Sequence, residues 1–163
     1  MIICQRIIRL PPDSERQAIN HKRIRRQSLT RWTRHPLKNN QTIKSLGIEV
    51  VVGDPSIEGA SAAWDAASRT MTISSETMQK GSGAVLQAMN HEAVHVAQSC
   101  NAGGVGSAGT ALGIGTSGEA ALALQHEVYD VASEEEKQME LEAYTLTNQA
   151  RAGLKAAVQH CST

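Results

Sequence analysis

The stretch 82–104, SGAVLQAMNHEAVHVAQSCNAGG, leaves this chain the fewest folding options. Ser82 is a natural N-cap, Val85, Met89, Val94, Val96 and Ala97 supply apolar flanks, and Gly103 and Gly104 provide a stop. A long helix is expected here. Within it stand His91, Glu92 and His95. Residues four apart leave a helix on one face, one turn apart, which is the separation at which two imidazoles reach one tetrahedral ion. Glu92 is rotated about 100° from His91, away from an ideal ligand position and toward the coordination position left for water. Zinc lowers the pKa of a bound water towards 7, and a carboxylate beside it can take up the proton. The bland account is a histidine pair without metal. With six His and twelve Glu in the chain, shuffling produces HExxH roughly 2% of the time, so chance explains the motif poorly.

What this helix packs against is constrained by composition. The chain has no Phe, and its large aromatics are Trp32, Trp64, Tyr129 and Tyr144. A core of Ala, Val, Leu, Ile and Met suits closely packed helices, and 163 residues suffice for one domain. GIEVVVGDP (47–55) reads as a β-branched strand closed by a turn, and 69–74 alternates Met71 and Ile73 against Thr70, Thr72 and Ser74. These two strands are expected to pair antiparallel. Helices are expected over 119–132 and 133–160, the second opened by a Ser133/Glu136 capping box. The class is therefore α+β and mostly helical, with a small antiparallel sheet packed on the motif helix and on later helices that carry further ligands. Residues 103–118 hold seven of the thirteen glycines. Gly113-Ile-Gly115-Thr-Ser-Gly118 satisfies GxGxxG, but no strand precedes it and no lysine follows. It reads as a loop or a close-packed small-residue segment, not a phosphate cradle.

Two histidines do not make a tight site. The metzincin pattern would place Gly at 98 and a third His at 101, and these are Gln98 and Asn101. A carboxylate from a later helix remains, from among Glu119, Glu127, Glu134, Glu135, Glu136, Glu140 and Glu142. NHEAVHVAQ followed by ELEAYTLT resembles the gluzincin-like branch of the zincin metallopeptidases, over about residues 46–160. The resemblance implies a small sheet, an active-site helix and a following ligand helix. It implies one Zn2+ held by His91, His95 and Glu142, with Glu92 as general base and a peptide or protein substrate. Glu140 is the other candidate, pointing about 200° away around the same helix. His126, Tyr129 and Tyr144 are hydrogen-bond donors able to stabilise an oxyanion during hydrolysis. HEVYD (126–130) imitates the motif but has Asp130 where a second histidine would stand.

The net charge of zero conceals an asymmetry. Residues 1–45 carry eleven Lys/Arg against Asp13 and Glu15, a net of +9, and residues 46–163 carry five against fourteen acidic residues, a net of −9. This reads as a basic arm (1–45) on an acidic domain (46–163). Trp32 in the arm offers a stacking platform for a base, so the alternative function is a metal-stabilised binding module that contacts nucleic acid without catalysis. No apolar run approaches the roughly 18 residues of a membrane span. Arg6 and Arg9 interrupt any leader-like segment, and a cytoplasmic location is expected. Cys4, Cys100 and Cys161 then read as reduced thiols. Cys100 and Cys161, however, end two expected helices and could bridge if those helices pack antiparallel.

Overall fold

The structure is a computed structural model describing residues 36–125 and 132–162. Cys4 and Trp32 in the basic arm, and His126, Glu127, Tyr129 and Asp130, lie outside the described residues. The chain runs α1 (Pro36–Ser45), β1 (Glu49–Gly53), β2 (Ala62–Asp65), β3 (Thr70–Ser74), α2 (Ser75–Gln79), α3 (Ser82–Asn101), α4 (Gly118–Ala123), α5 (Glu134–Thr147) and α6 (Ala152–Cys161). The α+β class expected from the sequence is the one observed.

The pairing of the two expected strands is not antiparallel. The sheet order is β1-β3-β2, and β1 runs parallel to β3, with Val50 opposite Met71 and Val52 opposite Ile73. The reason is β2, a short Ala-rich strand that sequence patterning missed. It forms an antiparallel hairpin with β3 and lets β3 insert in the middle, so the chain reaches the centre travelling in the direction of β1. The hairpin turn is held by Asp65, whose carboxylate accepts the Ala67 and Ser68 amides and the Ser68 hydroxyl. Along β3 the expected alternation holds, with Met71 and Ile73 buried and Thr70, Thr72 and Ser74 partly exposed.

Helix α3 is the centre of the molecule. Its N-cap is Gly81 and not the expected Ser82, which is already the first helical residue, and no side chain caps the helix start. Val85, Ala88, Met89, Ala93 and Val96 join Trp64, Met71, Ile73, Leu154 and Ala157 in the core. The Trp64 indole N–H donates to Ser99 at 3.1 Å, which seats β2 on the helix.

The helix expected over 133–160 is two helices. Asn90 explains the break: its side-chain amide donates to the carbonyls of Leu146, Thr147 and Gln149, and its oxygen accepts the Gly153 amide. The Leu146 and Gln149 carbonyls also accept the turn amides of Gln149 and Ala152, so Asn90 holds a turn that ends α5, and Arg151 turns the chain with φ of 58°. Gly153 is required at the crossing, since a Cβ there would stand 1.9 Å from the Asn90 carbonyl oxygen. Cys100 and Cys161, at the ends of α3 and α6, form a disulfide with Cα atoms 5.1 Å apart. The reading of these two as reduced thiols is therefore corrected, and so is the expected antiparallel packing: α3 and α6 run the same way, with Gly153 at Asn90 and Cys161 at Val96, and parallel packing brings their C-terminal ends within bridging range. No helix among the described residues is long and apolar enough to cross a membrane.

Helix α1 lies within the segment read as an arm, yet Ile43 is fully buried in the core. The folded unit thus starts upstream of the expected border at Leu46. We predict that Ile43→Ala costs about 2–5 kcal/mol, as for other buried isoleucines. Denaturant unfolding checks this, and a loss below about 0.5 kcal/mol would return α1 to the arm.

Candidate metal centre

The site forms where α3 faces α5. From α3 come His91, Glu92 and His95; from α5 come Glu140, Ala143, Tyr144 and Thr147, spaced at i, i+3, i+4 and i+7, which is one helical face. The Nε2 atoms of His91 and His95 are 3.2 Å apart. The Glu140 carboxylate lies 3.5 Å from each, Oε2 facing His91 and Oε1 facing His95.

The hydrogen bonds behind the rings decide which nitrogens are free. The Thr147 hydroxyl donates to the Ala143 carbonyl at 2.7 Å, so it can only accept from His91 Nδ1, 3.0 Å away. His91 therefore carries its proton on Nδ1 and a lone pair on Nε2. Gln98 repeats this for His95. Its amide nitrogen donates to the Met139 carbonyl and to Glu142, leaving its oxygen to accept from His95 Nδ1 at 2.8 Å. Two lone pairs and a carboxylate thus converge on one point, an arrangement that calls for a cation. Ligands about 2.0–2.2 Å from a tetrahedral ion stand roughly 3.3–3.5 Å apart, and the observed 3.2, 3.5 and 3.5 Å fit that spacing. His91, His95 and Glu140 together can hold a metal ion.

Glu142, the ligand implied by resemblance, is not beside the histidines. It is fully buried and faces the glycine-rich segment. Its Oε1 accepts the Gly113 and Ile114 amides, and its Oε2 accepts the Leu112 amide and Gln98. Residues two apart on a helix diverge by about 200°, so with Glu140 at the two histidines Glu142 cannot join them and meets α3 at Gln98 instead. The glycine-rich segment is accordingly a strap pinned at a few points, with open space beside Gly104, Gly113, Gly115 and Gly118. Gly109 lies where a Cβ would stand 3.2 Å from Gln98 and Met139, and the Gly113 and Ile114 amides of the GxGxxG match are taken by an internal carboxylate.

Glu92 is buried, and its Oε2 has no hydrogen-bond partner among the described residues. A backbone hydrogen bond from Trp64 engages the carboxylate. Burial pushes the Glu92 carboxyl up from its ordinary range; the charges of His91 and His95 pull it back, and Glu140 adds to the rise. Burial also opposes charge on His91, but the Glu140 hydrogen bond and the charges of Glu92 and Glu140 outweigh it, so its pKa is raised. Tyr144 packs edge-on against His91, ring centroids 4.9 Å apart, which brings it to the site. Glu134 and Glu136 stay in the exposed first turn of α5, where Glu136 closes the expected capping box.

Both raised pKa values have the same consequence for the metal-free protein. Its folded state holds protons more tightly than its unfolded state, so stability falls as pH rises. For Glu92 the contribution is present below 4.5 and lost above it, and for His91 it is present below 6.5 and lost above it. The lowered values of Asp65 and Glu136 act with the opposite sign, but in the acid range. We predict that chelator-treated protein is less stable at pH 8 than at pH 5.5. Bound metal should reverse the trend, because its ligands must be deprotonated. Urea midpoints at the two pH values decide it; a metal-free protein that gains stability over this range contradicts the assignment.

Sequence reasoning missed Gln98, Thr147, Asn90 and the loop amides at 112–114. Gln98 was findable, since three residues after His95 on a helix is a neighbouring position. The loop amides carry no sequence signal. No curated protein and no solved structure matches the chain. A family model described as "Domain of unknown function (DUF8637)" matches residues 65–162, a span that contains His91, Glu92, His95 and Glu140 of the candidate site. With that span covering more than half of its length, the chain belongs to this family.

Proposed function

We propose that the protein is a zinc-dependent hydrolase of the gluzincin-like type acting on a peptide or protein substrate. The observation that supports this most is the convergence of two oriented Nε2 lone pairs and the Glu140 carboxylate. Zinc is favoured because a His₂Glu set with an open position is its usual hydrolytic environment. When bound, the ion supplies electrophilic polarisation and acidifies a water molecule to near neutrality.

The chain's own residues do the rest. Glu92 has a buried oxygen with no protein partner among the described residues, and its surroundings favour the protonated form more than water does. Both properties suit a base that must accept a proton near neutral pH and release it to a leaving group. Thr147 and Gln98 hold the two imidazoles in their ligating tautomers. Tyr144, beside His91, is the oxyanion-donor candidate that the described residues bring to the site. The disulfide favours an oxidising compartment over the expected cytoplasm, where such bonds are rare.

Elemental analysis of protein purified without added metal tests the reading, together with cleavage of an unfolded protein substrate before and after chelation. One zinc per chain and chelator-sensitive cleavage are expected. A chain that neither retains nor takes up a divalent ion refutes the proposal.

A further inference from the structure

Glu142 is the most completely buried carboxylate at the site, and the proposed hydrolysis gives it no part. Its four donors are three consecutive backbone amides of the glycine-rich strap and the Gln98 side chain. Every group facing it is a donor. That uniformity matters because Gln98 is a side chain with two ends, one a donor and one an acceptor. A carboxylate at 142 admits only the Nε2 end of Gln98, so the Oε1 end must face His95. Turning Gln98 over would also cost its hydrogen bond to the Met139 carbonyl, which accepts from the same nitrogen at 2.9 Å. The orientation of the amide then determines that His95 is protonated on Nδ1 and offers Nε2.

We propose that Glu142 is a positioning residue that selects the ligating tautomer of His95 through the Gln98 amide, and thereby ties the strap at 112–114 to the metal site. This rests on the reading of His91, His95 and Glu140 as ligands. A glutamine at 142 would put an N–H₂ group among four donors. The contact to Gln98 is relieved when Gln98 turns over and presents its oxygen to residue 142. The Gln98 nitrogen then faces His95, which must accept on Nδ1 and move its proton to Nε2. That proton occupies the coordination position.

The experiment compares wild type, Glu142→Gln and the double variant Gln98→Glu/Glu142→Gln. In the double variant a carboxylate at 98 again accepts from His95 Nδ1 and the amide at 142 donates to it, while the Met139 carbonyl loses its side-chain donor. Two quantities are read: the His95 tautomer, from two-bond proton–nitrogen correlations on metal-free protein at pH 8, and Zn2+ affinity, by competition with a chromophoric chelator. Expected are an Nδ1–H tautomer in wild type and an Nε2–H tautomer in Glu142→Gln. Zinc affinity should fall by about 10–100-fold in the single variant, the range typical for partners of metal-ligating histidines. The double variant should recover the tautomer, and with it part of the affinity. A purely structural role for Glu142 predicts loosening of the strap with no tautomer change and no recovery in the double variant, and that result overturns the proposal. A Glu142→Gln protein too unstable to study shifts the comparison to Gln98→Leu against Gln98→Glu. The first should lose the Nδ1–H tautomer and the second keep it; equal tautomers in both overturn the proposal. Should wild type show the Nδ1–H tautomer yet bind no zinc, the metal reading fails while the tautomer relay stands.

Discussion

Glu92→Gln protein is expected to bind one zinc per chain, as wild type does, and to lose hydrolysis by about 10²–10⁴-fold, the range for a missing general base. Glutamine keeps the volume and the buried position, and Glu92 is not among the clustered ligand atoms. It removes only basicity. Glu140→Gln should behave differently. It replaces the carboxylate that lies 3.5 Å from both imidazoles, so metal content itself should fall. Metal analysis and a cleavage assay on the two variants separate base from ligand. If Glu92→Gln loses zinc as completely as Glu140→Gln does, Glu92 is a ligand and the assignment of roles is wrong. If both keep their zinc, the third ligand lies elsewhere on the chain.

Reduction of Cys100–Cys161 is the second large effect. The bond closes a loop of 61 residues that contains the glycine-rich strap, α4 and all of α5. Releasing such a loop in the unfolded chain costs stability of about 4 kcal/mol in the chain-entropy account. For a domain of this size that corresponds to a fall in Tm of roughly 10 °C. The effect should reach the metal centre, because Glu140 lies inside the loop while His91 and His95 lie outside it. A Cys161→Ser variant is expected to melt lower and to hold zinc more weakly at 37 °C. Melting curves that coincide with and without reductant would show that the bond does not form in the protein.

How much of this was legible beforehand depends on the range of the interaction. The motif helix, its glycine stop, the β3 alternation and the Ser133/Glu136 capping box are set by neighbours within a few residues, and each stands as the sequence predicted. The sheet was only half legible. A β-branched run announces a strand, but parallel or antiparallel pairing depended on β2, whose Ala-rich segment carries little strand signal. The break between α5 and α6 was hidden for a similar reason. The residue that takes up their carbonyls is Asn90, more than fifty positions earlier.

The choice between Glu140 and Glu142 shows the same division within one short segment. From sequence alone the pair had to diverge by about 200° around a helix, so only one could face the histidines. The stripe Glu140, Ala143, Tyr144 and Thr147 contained the answer, but reading it required knowing that Thr147 faces His91. Residue identity and helical period thus determined the chemistry available: two imidazoles one turn apart, a carboxylate beside them, and acidic candidates on a later helix. Tertiary structure decided which carboxylate joined them, which nitrogen of each ring was left free, and that a glycine-rich loop would be held by the other glutamate. Those outcomes depend on the rotation of α5 about its own axis against α3 and on amides thirty residues distant. Local periodicity constrains the relative phase of residues along one helix, but not the angle at which that helix meets another.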